Sequence, residues 1–500
     1  MTRNDARPAQ ASQIPTPRLR TPQSRCRAAV ARLDITPPVG IYHRMWGAAL
    51  HDRATGVHRP LTATMLRLEP VQSPHGTGST DGRIITAIDH CLLDSVEMLA
   101  IRLAIAEAAG LPVENVLLCL SHTHGSGWMS RSRSGLPGGE KIGPYLDELA
   151  ASLGRLAAPL VGQLEPATLL YGTGRCGLAK HRDHFDEERG QFVCGLNPEG
   201  PADDTLLVAR LVATEGKAAG RTLATLVNYA CHPTTLAWDN TLISPDWIGA
   251  MREVIEREEG CPTLFLQGAS GDLGPREGFV GDTAVADRNG REVGYAALAA
   301  LTPLPSPGTE YVYRGPVVSG ATLGTWTHQP LGEADLRTQE RWEWTQLDVE
   351  LPYRADLPRT DETTAERERW IAEEARARAE GDEVRLRDCR ARVEQCSRQL
   401  ARLAALQSGP GWKLPVTIGF LGDTVWIFVP GELYQVFQTT LRSRCAGRPI
   451  LVTTMANDWQ PGYIPPASAY GQGIYQEVIA ATAPGALEAL IEAVERRIGC

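Results

Sequence analysis

The apolar positions of the chain fall into strand-length segments separated by segments with helical spacing. Residues 28–40 alternate apolar and polar side chains and then turn at Pro37-Pro38, which predicts a strand followed by an irregular loop. Further strands are predicted at 61–68, 83–93, 115–120, 222–230, 263–267, 415–421 and 424–430. Helices are predicted at 94–110, 143–157, 245–259 and 287–301. Strands and helices that alternate along the chain predict an α/β fold.

A charged segment interrupts this pattern at residues 363–406. It is rich in Ala, Leu and Arg and free of Pro, which predicts a helical hairpin with its break near Gly381-Asp382. We favour a solvated antiparallel helix pair that packs on the domain. The alternative, a coiled coil that binds a partner, requires more heptads than either arm provides.

The composition is that of a globular protein. Of the 500 residues, 43 % are hydrophobic and 22 % are charged, which excludes a disordered or fibrous chain. No apolar run approaches the roughly 18–20 residues of a membrane span, and no Lys-rich amphipathic stretch indicates a membrane anchor. The net charge of −9 argues against a nucleic-acid partner bound through its phosphates. We therefore expect a small-molecule substrate.

The first 26 residues and the cysteines both suggest a cytoplasmic protein. Residues 1–26 are rich in Arg, Pro and Gln and lack the apolar stretch of a signal peptide, so we expect a disordered leader before one domain at 27–500. The 11 cysteines contain no CxxC pair, which indicates neither a disulfide framework nor a zinc ribbon. This pattern is typical of a reducing compartment.

Candidate metal ligands follow three of the predicted strands. His122 and His124 come directly after the run at 115–120, and in extended backbone two residues of this spacing point to the same side. His232 follows the strand at 222–230, and Glu432 follows the strand at 424–430. Two His and one Glu form the donor set of zinc hydrolases, with one position open to water. The alternatives are polar histidines at strand ends and a carboxylate at a helix N-terminus.

Three other polar residues have less specific patterns. The segment 264–277 resembles a nucleophile elbow around Ser270, but Asp272 replaces the final Gly of G-x-S-x-G. We therefore do not favour Ser270 as a nucleophile and expect Asp272 to be structural or to support a metal ligand. Asp89, in TAIDH, is more typical of a buried carboxylate at a strand end than of a residue that supports the metal.

Six segments together resemble the neutral/alkaline, non-lysosomal ceramidase family. The resemblance covers residues 28–477 and implies a mixed-sheet ceramidase-like metallohydrolase domain, with the helical hairpin inserted or appended. We expect no separate C-terminal immunoglobulin-like domain, since the chain stops at Cys500. In chain order the segments are ARLDITPPVG, LSHTHGSG, NYACHPTT with LISPDWIG after it, QGASGDLGP, VPGELYQ and GYIPPASAYGQGIYQE.

The resemblance implies one zinc ion with four protein ligands. These are His122, His232, Glu432 and Tyr463. Two further tyrosines, Tyr470 and Tyr475, lie near Tyr463 and remain alternatives for the fourth ligand.

The resemblance also implies catalytic residues and one departure from the family. His124 matches a residue that contacts the substrate carbonyl, and Arg182 falls where the family has a catalytic-site Arg. The family's proposed nucleophile is a Ser in GDVSP, and Gly274 stands in its place here. The resemblance therefore does not extend to a serine nucleophile, and ceramide is not the expected substrate.

These observations lead to one hypothesis and two alternatives. We expect a zinc-dependent hydrolase that cleaves an amide (N-acyl) or related acyl bond of a small soluble substrate with zinc-activated water. His124 and Arg182 would stabilise the oxyanion, and Asp246 is either the general base or a helix N-terminal carboxylate. We expect the loops 125–142 and 305–345 to line the pocket. The alternatives are a zinc-dependent acyl-transfer or cyclisation enzyme of a biosynthetic pathway, and a non-catalytic metal-binding scaffold that acts through the hairpin.

Overall fold

A computed structural model describes residues 17–72 and 80–500. The strands are β1 (Arg18–Leu19), β2 (Gln23–Asp34), β3 (Gly56–Val57), β4 (Thr62–Glu69), β5 (Arg83–Ile88), β6 (Leu92–Leu93), β7 (Val116–Leu120), β8 (Trp128–Met129), β9 (Glu165–Arg175), β10 (Ala179–His181), β11 (Asp183–Asp186), β12 (Gln191–Cys194), β13 (Thr205–Ala213), β14 (Thr222–Tyr229), β15 (Leu242–Ile243), β16 (Thr263–Gln267), β17 (Leu273–Pro275), β18 (Thr309–Ser319), β19 (Ala321–Pro330), β20 (Trp342–Pro352), β21 (Gly411–Leu421), β22 (Thr424–Phe428), β23 (Glu432–Leu433), β24 (Ile450–Thr453) and β25 (Tyr463–Ile464). The α-helices are α1 (Ser95–Ala109), α2 (Ile142–Ala157), α3 (Trp247–Glu259), α4 (Thr283–Leu301), α5 (Glu333–Thr338), α6 (Thr360–Glu380), α7 (Glu383–Ala404), α8 (Val436–Arg444), α9 (Tyr475–Ile479) and α10 (Ala486–Ile498).

Two mixed sheets form the centre of the fold. The main sheet has eight strands in the order β16-β14-β13-β9-β2-β4-β5-β7, antiparallel except for the parallel pairs β16–β14 and β5–β7 at its edges. The second sheet has four strands in the order β20-β21-β22-β24, with β22 and β24 parallel. The edge strands β7 and β16 of the main sheet also contact each other, so the curved sheet brings its two ends together.

The two sheets pack face to face between layers of helices. In β7, Leu117 and Cys119 face the second sheet, whereas Leu118 and Leu120 pack with helices α1 and α2. The same alternation in β14 and β22 gives strands buried on both faces, which explains their continuous apolar runs. Helices α3 and α4 cover the other half of the main sheet, and α8 and α10 cover the second sheet.

The chain enters the main sheet earlier than the sequence predicts. Residues 1–16 of the expected leader lie outside the described residues, but β2 begins at Gln23 and pairs with β9 from Leu170. The polar side chains at the start of this strand have partners in the fold: Ser24 Oγ donates to the Leu421 carbonyl at 2.5 Å, and Gln23 Nε2 donates to the Thr309 carbonyl at 3.1 Å. The expected boundary at residue 26 is therefore wrong.

The charged segment forms a helical hairpin of α6 and α7. Gly381 ends α6 with a φ of 70°, which a glycine adopts without strain, and Asp382 caps α7 by accepting from the Arg385 amide. The hairpin packs on the domain through α7: Gly47 lies against Ala391, where any side chain on the glycine would meet the α7 backbone. The outer face of the hairpin is charged and exposed.

Two further features concern the cysteines and the helices. Cys445, directly after α8, forms a disulfide with Cys500, which the cysteine pattern did not indicate. The other nine cysteines are free thiols, of which only Cys194 is exposed. Among residues 17–72 and 80–500, no helix has both the length and the apolar character that a membrane crossing requires.

Candidate functional site

The backbone after β7 places the His122 ring in a buried position. His122 has a φ of 64°, a left-handed conformation that is uncommon for a residue with a side chain, and its amide donates to the His90 carbonyl at 2.9 Å. Its Nδ1 lies 3.0 Å from the Cys91 carbonyl oxygen and therefore carries the proton of that hydrogen bond. This fixes the tautomer, so that the lone pair of the neutral ring lies on Nε2.

His232 meets His122 from the end of β14. Its Nδ1 donates to the Ser270 carbonyl at 2.8 Å, which again leaves the lone pair on Nε2. The two Nε2 atoms are 3.1 Å apart, and the two side chains are 3 % and 1 % exposed. At this distance the two Nε2 atoms cannot both present bare lone pairs to each other, so a positive charge, either a proton on one ring or a metal ion beside both, is required there.

Glu432 and Tyr463 complete the cluster because two short strands pair. In the parallel pair β23–β25, Glu432 lies directly opposite Tyr463. Glu432 Oε2 is 3.2 Å from both His122 Nε2 and His232 Nε2 and has no hydrogen-bond donor other than these rings among the described residues. Tyr463 Oη is 3.4 Å from His232 Nε2.

The three neighbouring tyrosines have different environments. Tyr470 donates its hydroxyl hydrogen to the Thr482 carbonyl at 2.7 Å, away from the cluster. The ring of Tyr475 lies 5.9 Å from that of Tyr463 and lines the adjoining cavity. Tyr463 is thus the tyrosine whose hydroxyl reaches the cluster, through His232.

The electrostatics of the cluster favour a bound cation. Burial lowers the pKa of His232 to about 3, which keeps the ring neutral. Burial alone would raise the pKa of Glu432, but His122 and His232 outweigh it and hold that pKa well below its usual range. Burial alone would lower the pKa of His122, but Cys91 and Glu432 outweigh it and hold that pKa well above its usual range, so without a metal this ring is protonated and pairs with Glu432. A bound metal would take the place of that proton, since neutral imidazole and ionised carboxylate are the states in which these side chains bind metals. His122, His232 and Glu432 therefore fit a metal such as zinc.

A second group of donors shares His122. The Cys91 Sγ lies 3.6 Å from His122 Nδ1, and His124 is nearby. This group would need the His122 nitrogen that is already bonded to the Cys91 carbonyl, so we favour the group on the Nε2 side.

His124 faces the cavity beside the cluster. Both of its ring nitrogens are buried and lack a hydrogen-bond partner among the described residues. Its ring packs against Trp46 at a centroid distance of 4.8 Å. Burial, together with the neighbouring His122 and His232, holds the pKa of His124 well below its usual range, so the ring is neutral. A neutral imidazole has one N–H to donate to a ligand in the cavity.

Arg182 lies next to the cluster but its guanidinium is already engaged. Nη2 donates to the Gly271 carbonyl at 2.6 Å and to Tyr463 Oη at 2.9 Å, and Nε donates to the same carbonyl at 3.1 Å. Arg182 also lines the cavity. The direct contact is with Tyr463, whose hydroxyl it orients.

Of the two roles expected for Asp246, general base or helix N-terminal carboxylate, the structure shows the second. It is the N-cap of α3: one carboxylate oxygen accepts from the Trp247 amide at 2.6 Å and the other from the Leu236 amide at 2.8 Å. Burial raises its pKa to about 6. The carboxylate is thus directed at backbone amides and does not line the cavity, which gives no support to a general-base role.

The other two carboxylates that the sequence singles out are structural. Asp89 is buried and forms a two-oxygen ion pair with Arg252, at 2.5 and 3.1 Å. Asp272 accepts from the backbone amide of Gln435 at 2.8 Å and from its side chain at 2.7 Å. Asp272 thereby holds the segment that follows Glu432.

Neither of the two positions considered for a serine nucleophile supplies a hydroxyl to the cavity. Ser270 Oγ accepts from Gln267 Nε2 at 2.6 Å and lies 3.3 Å from His232 Nδ1, on the side of the ring away from the cluster. A side chain at Gly274 would have open space, since its nearest neighbours would be Thr234 and Arg182 at 3.8 and 3.9 Å. The chain has room for a hydroxyl there and does not supply one.

A cavity of about 640 Å³ adjoins the cluster at His124 and Tyr463, and its size suits a small organic ligand. Five of its lining residues come from one face of α7, at helical spacing. No residue of 305–345 lines the cavity, so the expectation for this segment is wrong. At its deep end the cavity continues into a narrow floor of about 50 Å³. Trp128, from the segment 125–142, lines that floor. The α7 residues are Ala391, Glu394, Gln395, Arg398 and Arg402.

Comparisons with known proteins place the fold. No protein-family model and no curated protein matches the chain. The crystal structure of neutral ceramidase from Pseudomonas aeruginosa matches 96 % of this chain and 75 % of its own, with a TM-score of 0.61 and 16 % identity. A ceramidase complexed with C2 matches 96 % of this chain and 76 % of its own, with a TM-score of 0.60 and 16 % identity. The chain thus has a mixed α/β fold similar to that of neutral ceramidases, which confirms the predicted fold class.

Proposed function

We propose that the protein is a zinc-dependent hydrolase that cleaves an amide, or a related acyl bond, in a small substrate, with water rather than a serine as the nucleophile. The observation that carries the proposal is the meeting of His122 Nε2, His232 Nε2 and Glu432 Oε2 at 3.1–3.2 Å, with both Nδ1 atoms already bonded to backbone carbonyls. The similar fold of neutral ceramidases supports a hydrolase.

The residues at the cluster divide into ligands and residues that contact the substrate. His122, His232, Glu432 and Tyr463 would hold the ion, and zinc, when bound, polarises a carbonyl and lowers the pKa of water to about 7. Arg182 orients the Tyr463 hydroxyl through its 2.9 Å hydrogen bond. His124 has a free N–H at the cavity and would donate it to the oxyanion that forms on the substrate.

The proposal for water as nucleophile rests on what the chain offers around the cluster. Ser270 lies behind His232 and is bonded to Gln267, and Gly274 has no hydroxyl. The cavity supplies the substrate's route to the cluster, and its narrow floor of about 50 Å³ is lined by His122, His124 and Glu432. The general base is not among the residues that we assign, because Asp246 caps a helix.

Metal content tests the ligand set. We expect about one zinc per chain by elemental analysis, lost in His122→Ala, His232→Ala and Glu432→Ala. Tyr463→Phe removes one proposed ligand and should weaken zinc binding by at least the roughly 10- to 100-fold found for loss of a residue that only supports a ligand. Tyr470→Phe is the matched control, since its hydroxyl bonds to Thr482, and it should bind zinc like the wild type.

The reaction is tested with the same preparations. A panel of small N-acyl compounds should be hydrolysed by the zinc-loaded wild type, and ¹⁸O from labelled water should enter the released acid. Zinc retained in all three Ala variants would contradict the ligand set. Product without ¹⁸O would instead favour the acyl-transfer or cyclisation alternative.

A further inference from the structure

The face of α7 that lines the cavity carries more positive charge than its own acidic residue neutralises. Glu394 forms ion pairs with Arg398 at 2.7 Å and with Arg133 at 2.8 Å. One carboxylate is therefore shared by two guanidinium groups. Arg402, one helical turn beyond Arg398 on the same face, adds a further cation to the cavity wall.

Arg402 has no acidic partner of its own. The residue is 9 % exposed, and its Nε is buried without a hydrogen-bond partner in the part of the chain that the structure describes. Nη2 donates to the Gln399 side-chain oxygen at 2.5 Å, and no carboxylate oxygen of residues 17–72 and 80–500 lies within 4 Å of the guanidinium. A buried cation without a counter-ion is unfavourable in a folded protein, so the cost needs a functional explanation.

Arg402 remains charged despite its burial. Burial and the neighbouring Arg398 together lower its pKa to about 10, although Tyr475 and Glu432 act in the opposite direction. A group with this pKa is a cation at neutral pH. The chain as a whole carries a net charge of −9, so the positive charge of this wall is local.

Arg402 lies close to the candidate metal ligands. The narrow floor of the cavity is lined both by Arg398 and Arg402 and by His122 and Glu432. A ligand that reaches the cluster therefore passes or contacts Arg402.

The cavity also has an apolar wall. Trp46 lies 5.5 Å from Phe279 and 6.2 Å from Trp238, measured between ring centroids, and all three line the cavity. Aromatic rings in this edge-to-face arrangement bind apolar and aromatic groups.

We propose that Arg402 binds a carboxylate of the substrate, so that the substrate class is an N-acyl compound with a carboxylate and an apolar group, such as an N-acyl amino acid. This inference rests on the proposed function. The planar guanidinium donates two parallel hydrogen bonds to a carboxylate, and the aromatic wall receives the apolar group. The carboxylate supplies the counter-ion that Arg402 lacks.

Binding measurements test the proposal without relying on turnover. The probes are N-acetyl-, N-benzoyl- and N-(phenylacetyl)glycine, each compared with its uncharged primary amide by calorimetry on the zinc-loaded protein. We expect the wild type to bind at least one acid about 10- to 100-fold more tightly than its amide, the effect of one charge-assisted pair. In Arg402→Gln that ratio should fall to about one, and Arg402→Lys should keep part of it.

Arg387→Gln is the matched control, because Arg387 lies on the exposed face of the same helix and pairs with Asp388. It should keep the wild-type ratio, and melting curves should show that all variants fold. Equal affinity of the wild type for acids and amides, or no binding of any acid at millimolar concentration, would overturn the proposal. So would a ratio that persists in Arg402→Gln and disappears in His232→Ala, since the carboxylate would then bind the metal.

The failure of this inference differs from failure of the proposed function. A preference for acids that depends on Arg402, without hydrolysis of any probe or of the wider panel, would contradict the hydrolase and leave the anion site. Hydrolysis of amides with no preference for acids would contradict the anion site alone.

Discussion

At the scale of single residues, the candidate metal site depends on hydrogen bonds that direct the Nε2 atom of each histidine towards Glu432. The carbonyls of Cys91 and Ser270 accept hydrogen bonds from the Nδ1–H groups of His122 and His232. These carbonyls fix both the tautomer and the direction of each ring. The site is therefore organised by the main chain before any ion binds.

The sequence indicates the candidate ligands but not these carbonyls. His122, His232 and Glu432 each follow an apolar strand, and that pattern is visible in one sequence. The partner of His232 is 38 residues away at Ser270, in a different loop, and no local pattern specifies that contact. The sequence also does not show the partners of Asp246. Its carboxylate accepts hydrogen bonds from two backbone amides, which is the role of a helix cap and not of a catalytic base.

Substitutions of His124 and Ser270 distinguish attack by water from attack by a serine hydroxyl. His124→Ala should lower turnover roughly 10²–10³-fold by removing a donor to the oxyanion, yet leave zinc bound. Ser270→Ala should keep most of its activity, because its hydroxyl is bonded to Gln267 behind the His232 ring. Turnover and zinc content are measured on the same samples. A loss on the order of 10⁴ in Ser270→Ala, with a trapped acyl ester by mass spectrometry, would identify Ser270 as the nucleophile instead.

At the scale of elements, the sequence predicts the buried strands, but it does not predict that the hairpin lines the cavity. The run 115–120 becomes β7 and 424–430 contains β22, because strands buried between two layers are apolar throughout. The sequence also places the turn of the hairpin near Gly381. It does not show that one face of α7 lines a cavity, because arginines on a helix are usually solvent-exposed.

The ion pairs that dock the hairpin predict a pH-dependent stability. Burial alone would raise the pKa of Glu394, but Arg398 and Arg133 outweigh it and lower that pKa from 4.5 to about 2. A lowered folded-state pKa stabilises the protein above the unfolded-state value, and this contribution, on the order of 3 kcal/mol, is lost as the pH falls from about 4.5 towards 2.

Glu394→Gln measures this contribution. At pH 7 we expect the variant to unfold at a lower denaturant concentration than the wild type, and the difference should shrink as the pH approaches 2. Glu383→Gln, near the exposed start of α7, is the control and should follow the wild type. A difference of the same size at pH 7 and pH 2.5 would show that the charge of Glu394 does not stabilise the hairpin.

At the scale of the whole molecule, the candidate ligands come from distant parts of the chain. His122 and His232 follow strands of the main sheet, whereas Glu432 and Tyr463 lie in the short β23–β25 pair beyond the second sheet. The curvature that brings β7 near β16 also brings His122 near His232. A bound ion would therefore connect the two sheets.

Removal of the metal should lower the stability of the entire fold. A ligand present at 100 to 1,000 times its Kd stabilises the folded state by about 2.7–4.1 kcal/mol. We expect a chelator to lower the melting temperature of the wild type and zinc to restore it. His232→Ala should melt at one temperature with or without chelator. An equal decrease in that variant would mean that the chelator acts at another site.

The candidate metal ligands and the residues that line the cavity wall come from different parts of the sequence. The loops after β7, β14 and β22 hold the candidate ligands, and the inner face of α7 supplies Arg398 and Arg402 to the cavity wall. We therefore expect substitutions at 391, 395, 398 and 402 to change which compound is bound while the candidate ligands stay unchanged. Proteins with this fold and the same ligands would then differ in substrate through the residues of one helix. Comparison of their α7 faces would indicate which compound each of them binds.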